Sequence, residues 1–475
     1  MLPLCPKLID MAEMNRTIPY PARWQALAVL LMGAFLSPLD FFIVNVALPA
    51  MQLDLHANSS ELQFIVTGYG AAYAVFVVTG GRLGDIYGRK RIFMTGMCLF
   101  TLTSAACAMA ANAEVLIVAR ILQGLAAAML APQVLSSIRV IFPAMEQPKA
   151  MGLFGATFGL AAIAGQLCGG MLLEWQPFGL TWETVFLINV PIGLIAIVLA
   201  FLVIPENRPE KKPKLDIPGV VLISITLFLF IYPLIKGREA GWPLWVFICM
   251  AMSLPFGLWF IRTEQRVTAQ GKDPLIYLKL FKDRKFVTGL AVIFLFNNTA
   301  SFFMIYPVYL QSGFHWTVLS AGLAVLPYAA GFFIGPLLSA VLAKKNKDLV
   351  LTIGLSLLSI GFILSAGVLW YDPLPGGFLY GALLCAGIGH GIVMPVVVRL
   401  VLADTPIATA GLAAGIVSTA IQLGSALGVA VIGTLFFSIL PLVGSYTNAF
   451  IIALLVLGSL ELAALYYGIK LKSSG

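Results

Sequence analysis

The stretch GRLGDIYGRKR, Gly81 to Arg91, separates two long apolar runs, Leu62 to Gly80 and Ile92 to Ala111. A connection this short between runs of membrane-crossing length must reverse direction at a membrane surface. Gly81, Gly84 and Gly88 supply the backbone freedom that a tight turn needs. Arg89, Lys90 and Arg91 mark that surface as cytoplasmic, because basic residues concentrate in cytoplasmic loops. Asp85 lies among these cations near the expected start of the next helix, where the helix dipole favours a carboxylate. Two readings follow: a loop that sets topology, or a charge latch whose helix-to-helix contacts exist in one state of a moving protein.

Composition extends the membrane reading to the whole chain. Of 475 residues, 60% are hydrophobic and 11% charged, against about 45–50% and about 25% in soluble domains. Apolar runs of ~20 residues recur throughout, each long enough to cross a bilayer as a helix. The formal net charge of +8 sits in short loops, so it is a topology signal and no nucleic-acid partner is expected. Cys5, Cys98, Cys107, Cys168, Cys249 and Cys385 are scattered and form neither a metal-ligand spacing nor a disulfide framework. No metal or cofactor is expected. No cleaved signal peptide is recognisable, and the first helix would serve as its own insertion signal. Without an HExxH, a P-loop or a nucleophile–base pattern, an enzyme is not expected.

The expected fold is an all-α integral membrane protein of fourteen spans. Residues 1–23 form a cytoplasmic N-terminal segment and 24–204 a six-helix bundle. The polar linker PENRPEKKPKLD, Pro205 to Asp216, opens the segment 205–285. Within it, two apolar runs at 217–235 and 242–261 have basic residues at both ends, which reads as an inserted hairpin that goes out and returns. A second six-helix bundle spans 286–469, and a cytoplasmic tail covers 470–475. Fourteen crossings put both termini inside, and Lys236 and Arg238 are then the Lys and Arg residues left in an outer loop. GPLLSAVLAKKNK from Gly335 holds the place in the second bundle that Gly81–Arg91 holds in the first. Such internal repeats are typical of secondary transporters, whose substrate site lies between the halves near the midplane.

Further stretches carry a family resemblance. LDFFIVNVALP (Leu39 to Pro49), RILQGLAAA (Arg120 to Ala128), GQLCGG (Gly165 to Gly170) and VFLINVPIG (Val185 to Gly193) occur in that order. They resemble the first-, fourth-, fifth- and sixth-helix motifs of the 14-span drug:proton antiporters in the major facilitator superfamily, and Gly81–Arg91 resembles the superfamily's signature loop. The resemblance implies the major facilitator fold and a proton-driven exporter of amphiphilic small molecules. It also implies residence in a bacterial cytoplasmic membrane, as for the multidrug and antiseptic resistance proteins. The expected partners are substrate, protons and membrane lipid, and a monomer is expected. Two positions depart from the pattern. Gln166 stands where the antiporter motif has proline, which weakens any inference of direction from that motif, and Glu183 stands where the family commonly has arginine.

Ionisable groups within spans cost about 3 kcal/mol at mid-helix on insertion scales and are usually there for a reason. Asp40 lies ~13 Å from the outer end of the first helix and Arg120 ~9 Å into the fourth, similar depths in one bundle. Desolvation favours the neutral acid and a nearby arginine opposes it, so a change of access or distance can load and release a proton. Asp40 and Arg120 are therefore the expected proton-coupling pair, with Asp40 facing a wet passage between the bundles; a structural ion pair is the alternative. Candidate cavity residues are Asn45, Gln123, Gln166, Asn297, Asn298 and His390. Interhelical hydrogen bonding is the alternative for Asn45 and Gln123, and a packed structural role for His390. Glu461 reads as a snorkelling side chain or a functional acid. Gly165, Gly169 and Gly170 let helices approach closely, as static packing or as a sliding surface.

About 100 mV and about one pH unit supply roughly 3.7 kcal/mol per entering proton. That sustains a few-hundred-fold gradient of a neutral substrate, but only about tenfold for a monovalent cation. A dication needs a second proton. Asp40 is the one clear deep carboxylate of the first half, which favours neutral or singly charged substrates. An uptake symporter and a transport-inactive receptor on the same fold are the alternatives to export.

Overall fold

The computed structural model describes residues 20–206, 216–237, 240–272, 274–345, 347–372, 375–403, 405 and 410–473. The expected N-terminal segment before Tyr20, the basic linker residues Arg208 to Lys214, and Arg238 lie outside them. Among the described residues, fourteen helices are long and apolar enough to cross a membrane. They are α1 (Arg23–Leu48), α2 (Phe64–Tyr87), α3 (Arg89–Ala108), α4 (Ala113–Ile141), α5 (Gln147–Trp175), α6 (Thr184–Val203) and α7 (Ile217–Leu234), followed by α8 (Leu244–Ala269), α9 (Arg284–Phe314), α10 (Ser320–Ala343), α11 (Leu349–Tyr371), α12 (Gly377–Leu402), α13 (Leu412–Val443) and α14 (Tyr446–Lys470). No strand occurs among the described residues. In hydrocarbon a backbone must satisfy its own hydrogen bonds, and a helix does so within one segment.

Local sequence sets the helix starts. Asn58 and Glu61 form a reciprocal capping box ahead of α2, Asn112 caps α4 through Val115 N, and Asp283 caps α9 through Lys285 N. Three boundaries differ from expectation. The first helix continues through Pro49 to Asp54, and α8 continues to Ala269, because hydropathy marks bilayer thickness rather than the end of helix-forming sequence. Gly81 to Tyr87 is the last part of α2 rather than a turn, and α3 begins at Arg89. The reversal rests on Gly88 alone, at φ 96 and ψ 136, a conformation open to glycine.

Helices α1–α6 form one bundle and α9–α14 another. The principal pairings of the first, α1 with α5 and α6, α2 with α4, and α3 with α4 and α6, recur in the second as α9 with α13 and α14, α10 with α12, and α11 with α12 and α14. Two seams join the bundles: α2 meets α13, and α5 meets α10. Helix α7 of the hairpin packs on both α2 and α13, with Leu227 and Ile231 buried against Ala74 and beside Leu423.

Candidate functional site

Arg120 and Gln123 stand three residues apart on one face of α4 and turn inward to α1. An Arg120 Nη1 donates to Asp40 Oδ2, Gln123 Nε2 donates to Asp40 Oδ1 at 3.0 Å, and Asn189 Nδ2 donates to the same oxygen at 3.0 Å. Asn189 sits where α6 breaks between Thr184–Leu187 and Asn189–Val203. Ser104 of α3 accepts from both amides, at 3.2 and 3.0 Å. The guanidinium also donates to Ile65 O at 3.0 Å and to Gln123 Oε1 at 2.6 Å. It lies 4.4 Å from the Tyr69 ring centroid. Asp40, Ser104, Arg120, Gln123 and Asn189 are all fully buried.

The structure thus brings Asp40 and Arg120 together but corrects their setting. Asp40 does not face a passage between the bundles; it points into the first bundle, and Gln123 belongs to its shell rather than to a cavity. The face turned toward the second bundle is one residue further round α1. Ser37 of α1 bonds the Tyr69 hydroxyl of α2 at 2.6 Å, while Leu39, Phe42 and Ile43 meet Gly165 of α5. Between these two sectors lie Phe41, 41% exposed, and Asn45, also exposed. Since α2 and α5 carry the two seams with the second bundle, this sector, which lies between them, faces it. Phe42 reaches Phe303 of α9, ring centroids 5.9 Å apart. Asn45 donates to Phe41 O at 2.7 Å within its own helix, not to a neighbouring one. Gln166 is half-buried on the same interface, its Oε1 3.1 Å from where a Cβ on Gly322 of α10 would stand. Tyr69 and Ser37 therefore separate the ion pair from the interface by one layer of side chains.

In the second bundle the expected cavity residues are otherwise engaged. Asn297 and Asn298 form, with Thr299, a 3₁₀ break in α9. Their amides bond back to Ile293 O, Phe294 O and Leu295 O, and Gly424 and Gly428 of α13 pack against them. His390 Nδ1 lies 2.6 Å from the Tyr328 hydroxyl, with the Phe332 ring centroid 4.3 Å away. This is the packed alternative. Glu461 does not snorkel: it is fully buried, and Oε1 accepts from Thr299 at 2.9 Å. A cavity of about 660 Å³ lies elsewhere in this bundle, lined by residues that include Phe314, Trp370 and Tyr446 but not Asn297, Asn298, His390 or Glu461.

The signature stretch divides its labour. Asp85, buried in the last turn of α2, accepts from Leu412 N at 2.8 Å, at the start of α13 in the other bundle, where free N–H groups favour a carboxylate. Arg89 pairs with the same Asp85 at 3.3 Å. Lys90 and Arg91 instead hold α3 to the end of α6, through Phe201 O at 2.8 Å and Glu206 at 3.4 Å. Gly84 packs so closely on α4 that an added Cβ would meet Gln133 Oε1 at 1.9 Å. Gly81 is likewise buried in the helix. A second crossing on this side joins Arg139 of α4 to Ala403 O at 2.6 Å and to Thr405 O. Glycines on α5 serve both bundles. Gly165 and Gly169 admit α1, whereas Gly152, Gly155 and Gly159 face Pro336 and Phe333 of α10. Gly170 is half-buried.

Asn189, Ser104 and Tyr69 were not singled out by sequence reasoning. Asn189 was within reach, as the one polar side chain in VFLINVPIG; the other two have no distinguishing local signal.

Two repeated bundles of crossing helices, clamped on one side and enclosing a buried ion pair, define a multi-pass membrane transporter. The family model described as Major Facilitator Superfamily matches residues 30–429 and 288–470. The probable actinorhodin transporter of Streptomyces coelicolor is 38% identical over 432 residues, 89% of this chain and 74% of that protein. The tetracenomycin C resistance and export protein of Streptomyces glaucescens is 32% identical over 421 residues, 87% of this chain and 76% of that protein. Among solved structures, the proton:xylose symporter XylE bound to 6-bromo-6-deoxy-D-glucose aligns with a TM-score of 0.68 at 13% identity, covering 94% of this chain and 95% of that one. The chain belongs to the major facilitator superfamily and, by its curated relatives, to that superfamily's drug exporters.

Proposed function

We propose that this chain exports amphiphilic small molecules in exchange for protons, by alternating access to a site between its bundles, in a bacterial cytoplasmic membrane with the Gly88 side inward. The buried Asp40–Arg120 pair carries the reading. A paired acid and base inside an apolar bundle are costly to desolvate, and hydrophobic residues of similar volume would often serve stability as well. Their retention fits a role in which the pair opens. Protonation of Asp40 would remove its attraction for Arg120 and leave the guanidinium its bonds to Ile65 O and Gln123 Oε1. That would loosen α1 from α4 behind the interface. Tyr69 and Ser37 are the groups a proton would pass. Phe41, Phe42, Phe303 and Asn45 offer an apolar surface with one amide, which suits an amphiphile. The export named for the tetracenomycin C relative supports the direction.

Inside-out vesicles test the proposal. Acidifying the lumen should drive accumulation of an amphiphilic dye, and a protonophore should abolish it. No accumulation, or uptake in the opposite sense, would overturn antiport. Asp40→Asn, checked to retain dye binding, should lose the pH-driven component.

A further inference from the structure

The repeat places a second acid at the helix pair equivalent to the one that holds Asp40. In the first bundle, Asp40 of α1 bonds Asn189 of α6; in the second, Thr299 of α9 bonds Glu461 of α14. The neighbours correspond as well. Tyr69 of α2 lies over Arg120 of α4, and Tyr328 of α10 bonds His390 of α12. One difference stands out: Glu461 has no arginine. Its Oε2 is buried without a hydrogen-bond partner.

We propose that Glu461 is a second proton-binding site of the transport cycle, so that two protons enter per substrate and dications fall within the transported class. This rests on the proton-coupled reading above and deepens it. The groups around Glu461 are few. Thr299 faces it from α9; Tyr306 and Tyr309, further along α9, stack on Phe450 of α14, and Tyr328 of α10 stacks on Phe302, three residues on from Thr299. Helix α13 contains no ionisable residue, and α11 only Tyr371 at its far end. On α14 itself Tyr466 and Tyr467 are exposed, and Lys470 is nine residues away, ~13 Å along the helix. Thr299 is the midpoint of α9, fifteen residues from either end, which puts the carboxyl near mid-membrane. A glutamine could keep the Thr299 bond without a charge to bury, so packing alone gives no reason for an acid. Intramembrane acids are functional by default.

The position also supplies a mechanical link. Thr299 ends the 3₁₀ break of α9, and short 3₁₀ segments within helices often mark hinges. Gly424 and Gly428 of α13 sit on that break, a built Cβ on Gly428 lying 2.6 Å from Asn298 Cα. The far end of α13 is Leu412, the residue clamped by Asp85. Gain or loss of a proton at Glu461 alters what Thr299 can donate to, and the break, α13 and the clamp lie in one packed line behind it.

The test is the proton-to-substrate ratio in proteoliposomes, read from the pH gradient that just balances a known dye gradient. The wild type should give two protons per dye and Glu461→Gln one, with dye–dye exchange at zero gradient retained. Thr299→Val removes a donor to the carboxylate and should move the pH of half-maximal transport upward. A wild-type ratio of one, or a ratio of two kept in Glu461→Gln, would overturn the proposal. So would an unmoved pH profile in Thr299→Val. A wild type that moves no protons would instead refute the coupled reading itself.

Discussion

Replacing Gly159 by alanine probes the α5–α10 seam with the smallest possible change. A Cβ at this position would lie 2.6 Å from Phe333 N, 2.8 Å from Phe333 Cα and 2.9 Å from Phe332 C. Carbon contacts settle at about 3.5–4.0 Å, so the two backbones must part by ~1 Å. Overpacking of this kind costs about 1–3 kcal/mol. Alanine otherwise favours a helix over glycine by about 0.5–1 kcal/mol, so the cost falls on conformations in which α5 and α10 touch. At 1.4 kcal/mol per tenfold, the clamped population should drop by about 5- to 150-fold relative to states in which the helices separate. Spin labels at the exposed Met145 and Val341 report it as a loss of the short-distance population. Gly367→Ala, where nothing lies within 4 Å, is the control and should change nothing. A short-distance population in Gly159→Ala equal to that of the control would refute the close contact.

Four other outcomes are expected. Asp85→Asn weakens a charge-assisted bond of about 1.5–3 kcal/mol, so thiol labelling of a cysteine at Ala414 from the Gly88 side should rise at least about tenfold. Asp40→Asn leaves Arg120 buried without its counter-charge and should cost about 3–5 kcal/mol of stability; the double variant with Arg120→Gln should melt above the single one. Trp182→Phe loses the 2.8 Å bond from Nε1 to Asp54 and should cost about 1–2 kcal/mol in denaturant titration. Arg23 donates to both oxygens of Glu146, at 2.7 and 2.9 Å, and holds that carboxyl below its ordinary value. A carboxylate with a lowered value stabilises above its unfolded value of about 4.3 and loses this as pH falls through the folded one. Glu146→Gln should therefore lower the melting temperature at pH 7, and the difference should close only below the ordinary carboxylate range.

The number and order of spans were readable because a bilayer imposes one length on every crossing, and Asp40 and Arg120 were placed at matching depth by helical rise alone. What linear reasoning could not supply was azimuth. Moving one residue along α1 turns the helix by about 100°, given 3.6 residues per turn, and that step separates buried Asp40 from exposed Phe41. Gly81 and Gly84 were misread for a related reason: glycine signals a turn in isolation, but both lie within α2, and between membrane helices glycine as often marks a close approach, as Gly84 does to Gln133 of α4. Asn297 and Asn298 look like free polar groups in sequence, yet their amides are consumed by the helix they interrupt. The correspondence between Asp40–Asn189 and Glu461–Thr299 has no counterpart in residue identity, and only the shared helix pairings expose it.

The hairpin has a consequence for molecules arriving through lipid. Tyr232 and Lys236 lie against Phe64 of α2, the rings 6.4 Å apart and the ammonium 3.8 Å from the centroid, while the same helical stretch leans on α13. One of the two sidewalls is therefore shuttered, and among the described residues the wall along α5 and α10 has no such cover. A photoreactive lipid should therefore mark the outer sides of α5 and α10 rather than the shielded flank of α2 and α13.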